Sequence, residues 1–146
     1  MNVRVIVADE SHAKFFDITG PIAPLVPRGT AHNEFSRRHD IELETDREGR
    51  GFGPAGQRHG VNGERSTERH EMTNFARAVA RRIEDDRVAR AFDKLILIAG
   101  PRMLGLLRQA LPETCRATVA GEIPKDLSHG DPQAIREAIP SDVFFH

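Results

Sequence analysis

FDKLILIAGPRMLGLLRQAL, residues 92–111, contains the longest strongly apolar run of the chain, at residues 95–98. No polar residue alternates with these side chains, so the run predicts a strand that is buried on both faces. Gly100 and Pro101 break the run, and proline suits the first turn of a helix because its φ is fixed and it lacks an N–H. Apolar residues then recur at helical spacing as far as Leu111. The stretch therefore predicts a strand, a tight turn and a helix, and it requires a covering layer on each face of the strand.

The N-terminal part of the chain predicts an antiparallel hairpin. Two apolar segments, residues 3–8 and 13–19, are separated by turn-forming residues. Residues 22–26 are expected to form a third strand at the sheet edge, because Pro24 and Pro27 cannot donate to a hydrogen-bond ladder.

A long helix is predicted in the middle of the chain, with Ser66 or Thr67 as its N-cap. One apolar stripe at helical spacing supports it and consists of Met72, Phe75, Ala76, Val79 and Ile83.

The C-terminal part continues with alternating elements. Residues 115–121 predict a strand parallel to the central one, because a helix connects the two. Asp131 is expected to cap a helix over residues 132–138. The fold class is therefore α/β, a single domain over residues 1–146 whose mixed sheet combines an N-terminal antiparallel hairpin with C-terminal parallel β-α-β units.

Residues 49–63, GRGFGPAGQRHGVNG, contain six of the twelve glycines of the protein. Ordering such a segment costs much backbone entropy, so a core element is not expected there. Because it carries Arg50, Arg58 and His59 and no acidic residue, the segment is predicted to be a mobile basic loop.

Composition says more about the cellular environment of the protein than about its function. The 146 residues include 21 basic and 22 acidic side chains, so net charge indicates no partner. Cys115 is the single cysteine, which excludes an intrachain disulfide and favours a cytoplasmic location. The N-terminal apolar run is too short for a signal peptide or a membrane span, so no membrane partner is expected. No motif for a cofactor or another small molecule is found.

Three segments in their order along the chain carry a family resemblance: VADESHAKFF at 7–16, LILIAGPRMLGLLR at 95–108 and EIPKDLSH at 122–129. Together with the arginine-rich helix they resemble the bacterial family named "protein required for attachment to host cells". That family looks like part of a wider bacterial group related to the archaeal and eukaryotic type of peptide-chain release factor and to the ribosome-rescue factor Pelota. The resemblance implies a ribonuclease-H-like sheet like that of the release factor's middle domain, where a glycine-rich loop also precedes a long helix, an apolar strand and another helix.

In release factors the corresponding loop carries Gly-Gly-Gln, which positions water on the peptidyl-tRNA ester. This chain has Ala55-Gly56-Gln57 at the comparable place and differs at the first glycine. The resemblance thus implies contact with RNA or the ribosome.

The function expected first is a non-enzymatic RNA- or ribosome-associated factor, in which glycines allow close backbone approach and arginines meet phosphates. The expected contact residues are Arg50, Gly56, Gln57, Arg58, His59 and Arg69. The same loop is also compatible with a solvated linker, and the arginines of the long helix with an ordinary solvated face. A second possibility is a protein-interaction factor that influences attachment to host cells.

A third possibility is a hydrolase that acts on peptidyl-tRNA through Gln57 or on RNA through Asp9. Asp9 ends the first strand, where ribonuclease-H-like nucleases hold a metal with a carboxylate, and Asp126 with His129 forms a second candidate pair. Two-metal chemistry needs several converging carboxylates, which the sequence pattern does not indicate. Asp9 is therefore interpreted as a turn former, and no metal is expected. Cys115 is interpreted as a small buried side chain.

Overall fold

The computed structural model describes residues 1–34 and 60–145, and for residues 60–68 it describes the backbone alone. Within these ranges the strands are β1 (Val3–Ala8), β2 (His12–Ile18), β3 (Val26–His32), β4 (Lys94–Ala99) and β5 (Val119–Ile123). They form one five-stranded sheet in the order β3-β2-β1-β4-β5. The β1–β2 and β2–β3 pairs are antiparallel, whereas β1–β4 and β4–β5 are parallel. The sheet is mixed, as the sequence predicts.

The helices in the described ranges are α1 (Gly60–Val88), α2 (Pro101–Ala110), α3 (Glu113–Arg116) and α4 (Pro132–Ala138), followed by a 3-10 helix at Ser141–Phe145. Helices α1 and α2 cover one face of the sheet, and α4 with the 3-10 helix covers the other. No helix in the part of the chain described here is long and apolar enough to cross a membrane.

Strand β4 lies between β1 and β5 and separates the two cores. Leu95 and Leu97 belong to the core under α1 and α2, while Ile96 and Ile98 belong to the core under α4. All four side chains have no solvent exposure. The prediction of a strand buried on both faces is confirmed, and it explains why β4 needs no polar side chain.

The predicted apolar stripe of α1 is confirmed, since its five residues are all buried against the sheet and α2. The helix nevertheless begins at Gly60, several residues before the predicted caps Ser66 and Thr67. Residues 60–63 are therefore helical, and assigning them to the basic loop was wrong. Extending a helix that is already nucleated adds one hydrogen bond per ordered residue, so the glycines there do not stop it. The other loop residues, 49–59, lie outside the described residues.

Two strand boundaries also differ from those predicted. The edge strand is Val26–His32, and the prediction of residues 22–26 was wrong because Gly20 and Ala23 form a turn there, in which the Ala23 N–H donates to the Gly20 carbonyl at 3.1 Å. Strand β5 begins at Val119, while Cys115 lies in α3, where its N–H donates to Pro112 at 3.0 Å. Proline and the residues after it here start a helical turn instead of a strand.

The cap on α4 is confirmed. Asp131 lies in extended conformation before Pro132, and its Oδ1 accepts the Ala134 N–H at 2.9 Å. This bond satisfies one of the N–H groups that the first turn of a helix leaves without a partner.

Candidate functional site

A cleft of about 340 Å³ opens at the carboxyl ends of the neighbouring parallel strands β1 and β4. Its walls are the turn after β1 at residues 9–11, the start of α2 at residues 100–103, Met72 of α1 and Asp126 from the loop after β5. Carboxyl ends of adjacent parallel strands are where ligands of α/β sheets commonly bind. We therefore take this cleft as the candidate site.

Asp9 is one of the carboxylates in the wall of the cleft. Its Oδ1 accepts the backbone N–H groups of Ser11 at 2.7 Å and His12 at 2.8 Å, which confirms its interpretation as a turn former. Burial raises the pKa of Asp9, but its hydrogen bonds, which include those from these two N–H groups, outweigh this effect. The pKa of Asp9 therefore lies below its ordinary value, and the carboxylate is ionised at neutral pH.

Two histidines lie beside this carboxylate, and a third lies next to one of them. His12 Nδ1 lies 3.3 Å from Asp9 Oδ1, and His129 Nε2 lies 3.7 Å from Asp9 Oδ2. The His12 ring is 6.4 Å from the ring of His32 and 5.7 Å from that of His129, measured between centroids. The structure thus brings together Asp9 and His129, which are 120 residues apart in the chain.

Asp126 lines the same cleft but does not pair with His129. Its Oδ1 accepts the hydroxyl of Ser128 at 2.6 Å and the Ser128 N–H at 3.1 Å. Ser128 is fully buried, and its carbonyl accepts the Lys14 ammonium at 2.8 Å. These contacts fix the loop after β5 against the carboxyl end of β1 and the amino end of β2, so the wall of the cleft is built from residues distant in sequence.

The site offers carboxylates and imidazoles but no assembled metal centre. In the two described ranges, no group of three or more His, Cys, Asp or Glu side chains is placed to hold a metal ion. Asp9 with a histidine is an arrangement that could orient an imidazole for proton transfer.

Most of the expected RNA-contacting residues, Arg50, Gly56, Gln57, Arg58 and His59, lie outside the described residues. Arg69 is exposed on α1, about one turn before Met72 of the cleft. At its other end α1 approaches the start of β1, where Asp86 binds Arg4 at 2.6 Å. Helix α1 therefore runs along β1, and its N-terminal half lies towards the end of the sheet at which the cleft opens.

Three further arginines of α1, Arg77, Arg81 and Arg82, are of two kinds. Arg77 and Arg81 are exposed and form no ion pair with any residue in the described ranges. Arg82 instead donates to the carbonyls of Arg28 and Thr30 in β3. The arginines of the helix are thus not one uniform solvated face.

A buried ion-pair network was missed by the sequence interpretation. Arg4 is only 4 % exposed, and its guanidinium donates to Asp17 at 2.5 Å and to Asp86 at 2.6 Å. Its Cζ lies over the Phe92 ring, 5.6 Å from the ring centroid. Asp17 also accepts Arg28 at 2.8 Å. Burial lowers the pKa of Arg4, but the two carboxylates outweigh burial and raise it. One feature of the sequence could have indicated this network: an arginine inside an apolar strand, directly across the hairpin from an aspartate.

Cys115 is buried, as expected. Burial, followed by the charge of Glu84, raises the pKa of its thiol to about 11. The thiol is therefore protonated at neutral pH and is not activated as a nucleophile.

Comparison with known proteins gives one family. The model of the family described as "Protein required for attachment to host cells" matches residues 4–139. No curated protein matches the chain.

Proposed function

The chain belongs to the family of proteins required for attachment to host cells, and we propose that it acts as a non-enzymatic RNA- or ribosome-associated factor in the cytoplasm. The family description supports a role in attachment to host cells and names no molecular activity. The proposal adds a molecular activity to it, namely contact with RNA phosphates by the basic segment before α1 and by α1 itself.

The exposed arginines of α1 carry this proposal. Arg69, Arg77 and Arg81 are solvent-exposed and form no ion pair with other described residues, so their charges are available to a partner. Guanidinium groups bind phosphates well because their planar donors match two phosphate oxygens. Arg77 and Arg81 are one helical turn apart, about 6 Å along the helix axis.

We extend the contact surface to Arg50, Gly56, Gln57, Arg58 and His59, which precede α1 in the chain. We also propose that the domain is ribonuclease-H-like and related to the release-factor middle domain. The order of a long helix, an apolar strand and another helix after a glycine-rich segment supports this relationship.

The test measures binding to purified ribosomes and to a labelled single-stranded RNA over a range of salt concentrations. The double variant Arg69→Gln/Arg77→Gln should bind about tenfold more weakly at low salt. The slope of log affinity against log salt should become shallower by about 1.4, since each phosphate contact on a single strand contributes about 0.7. Arg90→Gln/Arg116→Gln removes the same charge from exposed positions elsewhere and should leave both quantities unchanged.

A second variant tests the segment before the helix. Deletion of residues 50–59 leaves α1 complete and should weaken RNA binding further. If wild type, deletion and double variant are recovered equally and independently of salt, the RNA proposal is wrong.

The second candidate function is that of a protein-interaction factor in attachment, which the family match favours. Cell fractionation separates it from the first, because a surface-bound or secreted pool of the protein would favour direct action in attachment.

The third candidate is a hydrolase, favoured by Asp9 and Asp126 in the wall of the cleft and by His129 beside Asp9. Ribonuclease and peptidyl-tRNA hydrolase activities of wild type, Asp9→Asn and Gln57→Ala would be compared. Activity that survives both substitutions would exclude both residues from the chemistry.

A further inference from the structure

A groove of about 600 Å³ lies between α1 and the end of α2, and it shares no lining residue with the cleft described above. Short side chains line much of it, namely Ala80 of α1, Ala110 of α2 and Pro112 after α2. Cavities that hold small molecules in proteins measure roughly 300–1,000 Å³, so the groove has room for one nucleotide.

One row of α1 places charged side chains along this groove. Arg77, Arg81 and Asp85 follow one another at intervals of four residues and all line the groove. Each is therefore about 6 Å along the helix axis from the next. All three are exposed, and none forms an ion pair with another described side chain. The row thus offers two guanidinium groups followed by one carboxylate.

The other acidic residue of the groove, Glu84, is already neutralised by a neighbour. Arg87 donates to its two carboxylate oxygens at 2.6 Å and 3.0 Å. Glu84 therefore adds little negative charge to the groove, and Asp85 is the lining carboxylate whose acceptor oxygens are available to a ligand.

We propose that this groove holds one nucleotide of a single-stranded RNA, with Arg77 and Arg81 on a phosphate and Asp85 on the ribose 2′-hydroxyl. The inference rests on the RNA association proposed above and adds to it a preference for RNA over DNA. Guanidinium groups match phosphate oxygens, and a carboxylate accepts a hydrogen bond from a ribose hydroxyl. The 2′-hydroxyl is the group by which a protein distinguishes RNA from DNA.

The opposite wall and the charge pattern agree with this occupant. Gln109 of α2 is exposed in the groove and carries an amide that can both donate to and accept from a base edge. An acidic peptide fits the row less well, because its carboxylates would meet Asp85, and like charges placed side by side are unfavourable. A nucleotide strand avoids this repulsion, since its neutral riboses alternate with its charged phosphates.

The test measures the affinities of wild type and Asp85→Ala for an oligouridine and for its 2′-deoxy counterpart of the same length. Wild type should bind the ribose form about fivefold more tightly, as expected for one hydrogen bond. Asp85→Ala should bind the ribose form about fivefold more weakly than wild type does, and the deoxy form no more weakly. A charge effect alone would act in the opposite direction, because removing a carboxylate favours both polyanions.

Asp142→Ala is the matched control. It removes the same charge from an exposed position in the 3-10 helix, on the other face of the sheet, and should keep the preference of wild type for the ribose form. If wild type binds both forms equally, or if Asp85→Ala keeps the wild-type preference, the groove proposal is wrong, although RNA binding that depends on Arg69 and Arg77 would remain. Absence of RNA binding by wild type would overturn both proposals.

Discussion

At the scale of single residues, Arg4 is a buried charged side chain held by two carboxylates. It lies in the apolar strand β1, yet its guanidinium contacts Asp17 and Asp86 within hydrogen-bonding distance. A buried charge is tolerated only when partners replace its lost hydration. The network therefore joins β1, β2 and α1 through charge, in a region otherwise held by apolar packing.

Asp17→Asn should lower the free energy of unfolding by about 3 kcal/mol at neutral pH, because it leaves the buried Arg4 charge only partly compensated. Arg28→Gln breaks the other ion pair of Asp17, but 55 % of the Arg28 side chain is exposed, so its cost should stay below about 1 kcal/mol. Urea unfolding of both variants measures the difference. Equal costs would show that burial of Arg4 is not the cause.

Acid should remove part of this stabilisation. Burial raises the pKa of Asp17, but bonds from Arg4 and Arg28 outweigh it and lower the pKa below its ordinary 3.8. A lowered pKa in the folded state contributes stability that is fully present above the unfolded value and is lost as pH falls through the lowered value. Unfolding free energies measured below about pH 5 should therefore depend less steeply on pH in Asp17→Asn than in wild type.

At the scale of elements, α1 combines several functions along one helix. One side supplies the buried stripe, Arg82 reaches the sheet edge, and Arg77 and Arg81 face solvent. The stripe follows from residue spacing and was predicted from sequence. The destination of Arg82 was not, because a periodic pattern identifies the face of a helix but not the element that lies beside it.

Ile83→Ala should destabilise the protein by about 3 kcal/mol, since deleting a fully buried side chain leaves a cavity in the core. Val88→Ala in the same helix should cost at most about 0.5 kcal/mol, because Val88 is 64 % exposed. Thermal and denaturant unfolding measure both. A similar loss in the two variants would argue against packing as the cause, since alanine has the higher helix propensity at both positions.

At the scale of the whole molecule, the sheet separates two hydrophobic cores that are covered by different helices. The long α1 and α2 enclose one core, while the short α4 and the 3-10 helix enclose the other. Strand β4 contributes to both and has a neighbour on each side, whereas β3 is an exposed edge. Stability should therefore be distributed unevenly across the sheet.

Native-state hydrogen exchange should show this distribution. Amides of β4 should exchange only through global unfolding. The amide of Thr30, on the side of β3 that faces away from β2, should exchange orders of magnitude faster. Exchange of both strands at one common rate would mean that the sheet opens as a single unit.

The sequence by itself determined the α/β class, the hairpin, the buried β4, the stripe of α1 and the cap at Asp131, because each is encoded by residues close together in the chain. It placed the start of α1, the edge strand and β5 less well, since their limits depend on neighbouring elements. Only the tertiary structure decided the contacts of Arg82 with β3, the burial of Arg4 beside Asp86 and the meeting of Asp9 with His129. These contacts join residues 52, 82 and 120 positions apart, and local spacing carries no information about which distant side chains a folded sheet brings together.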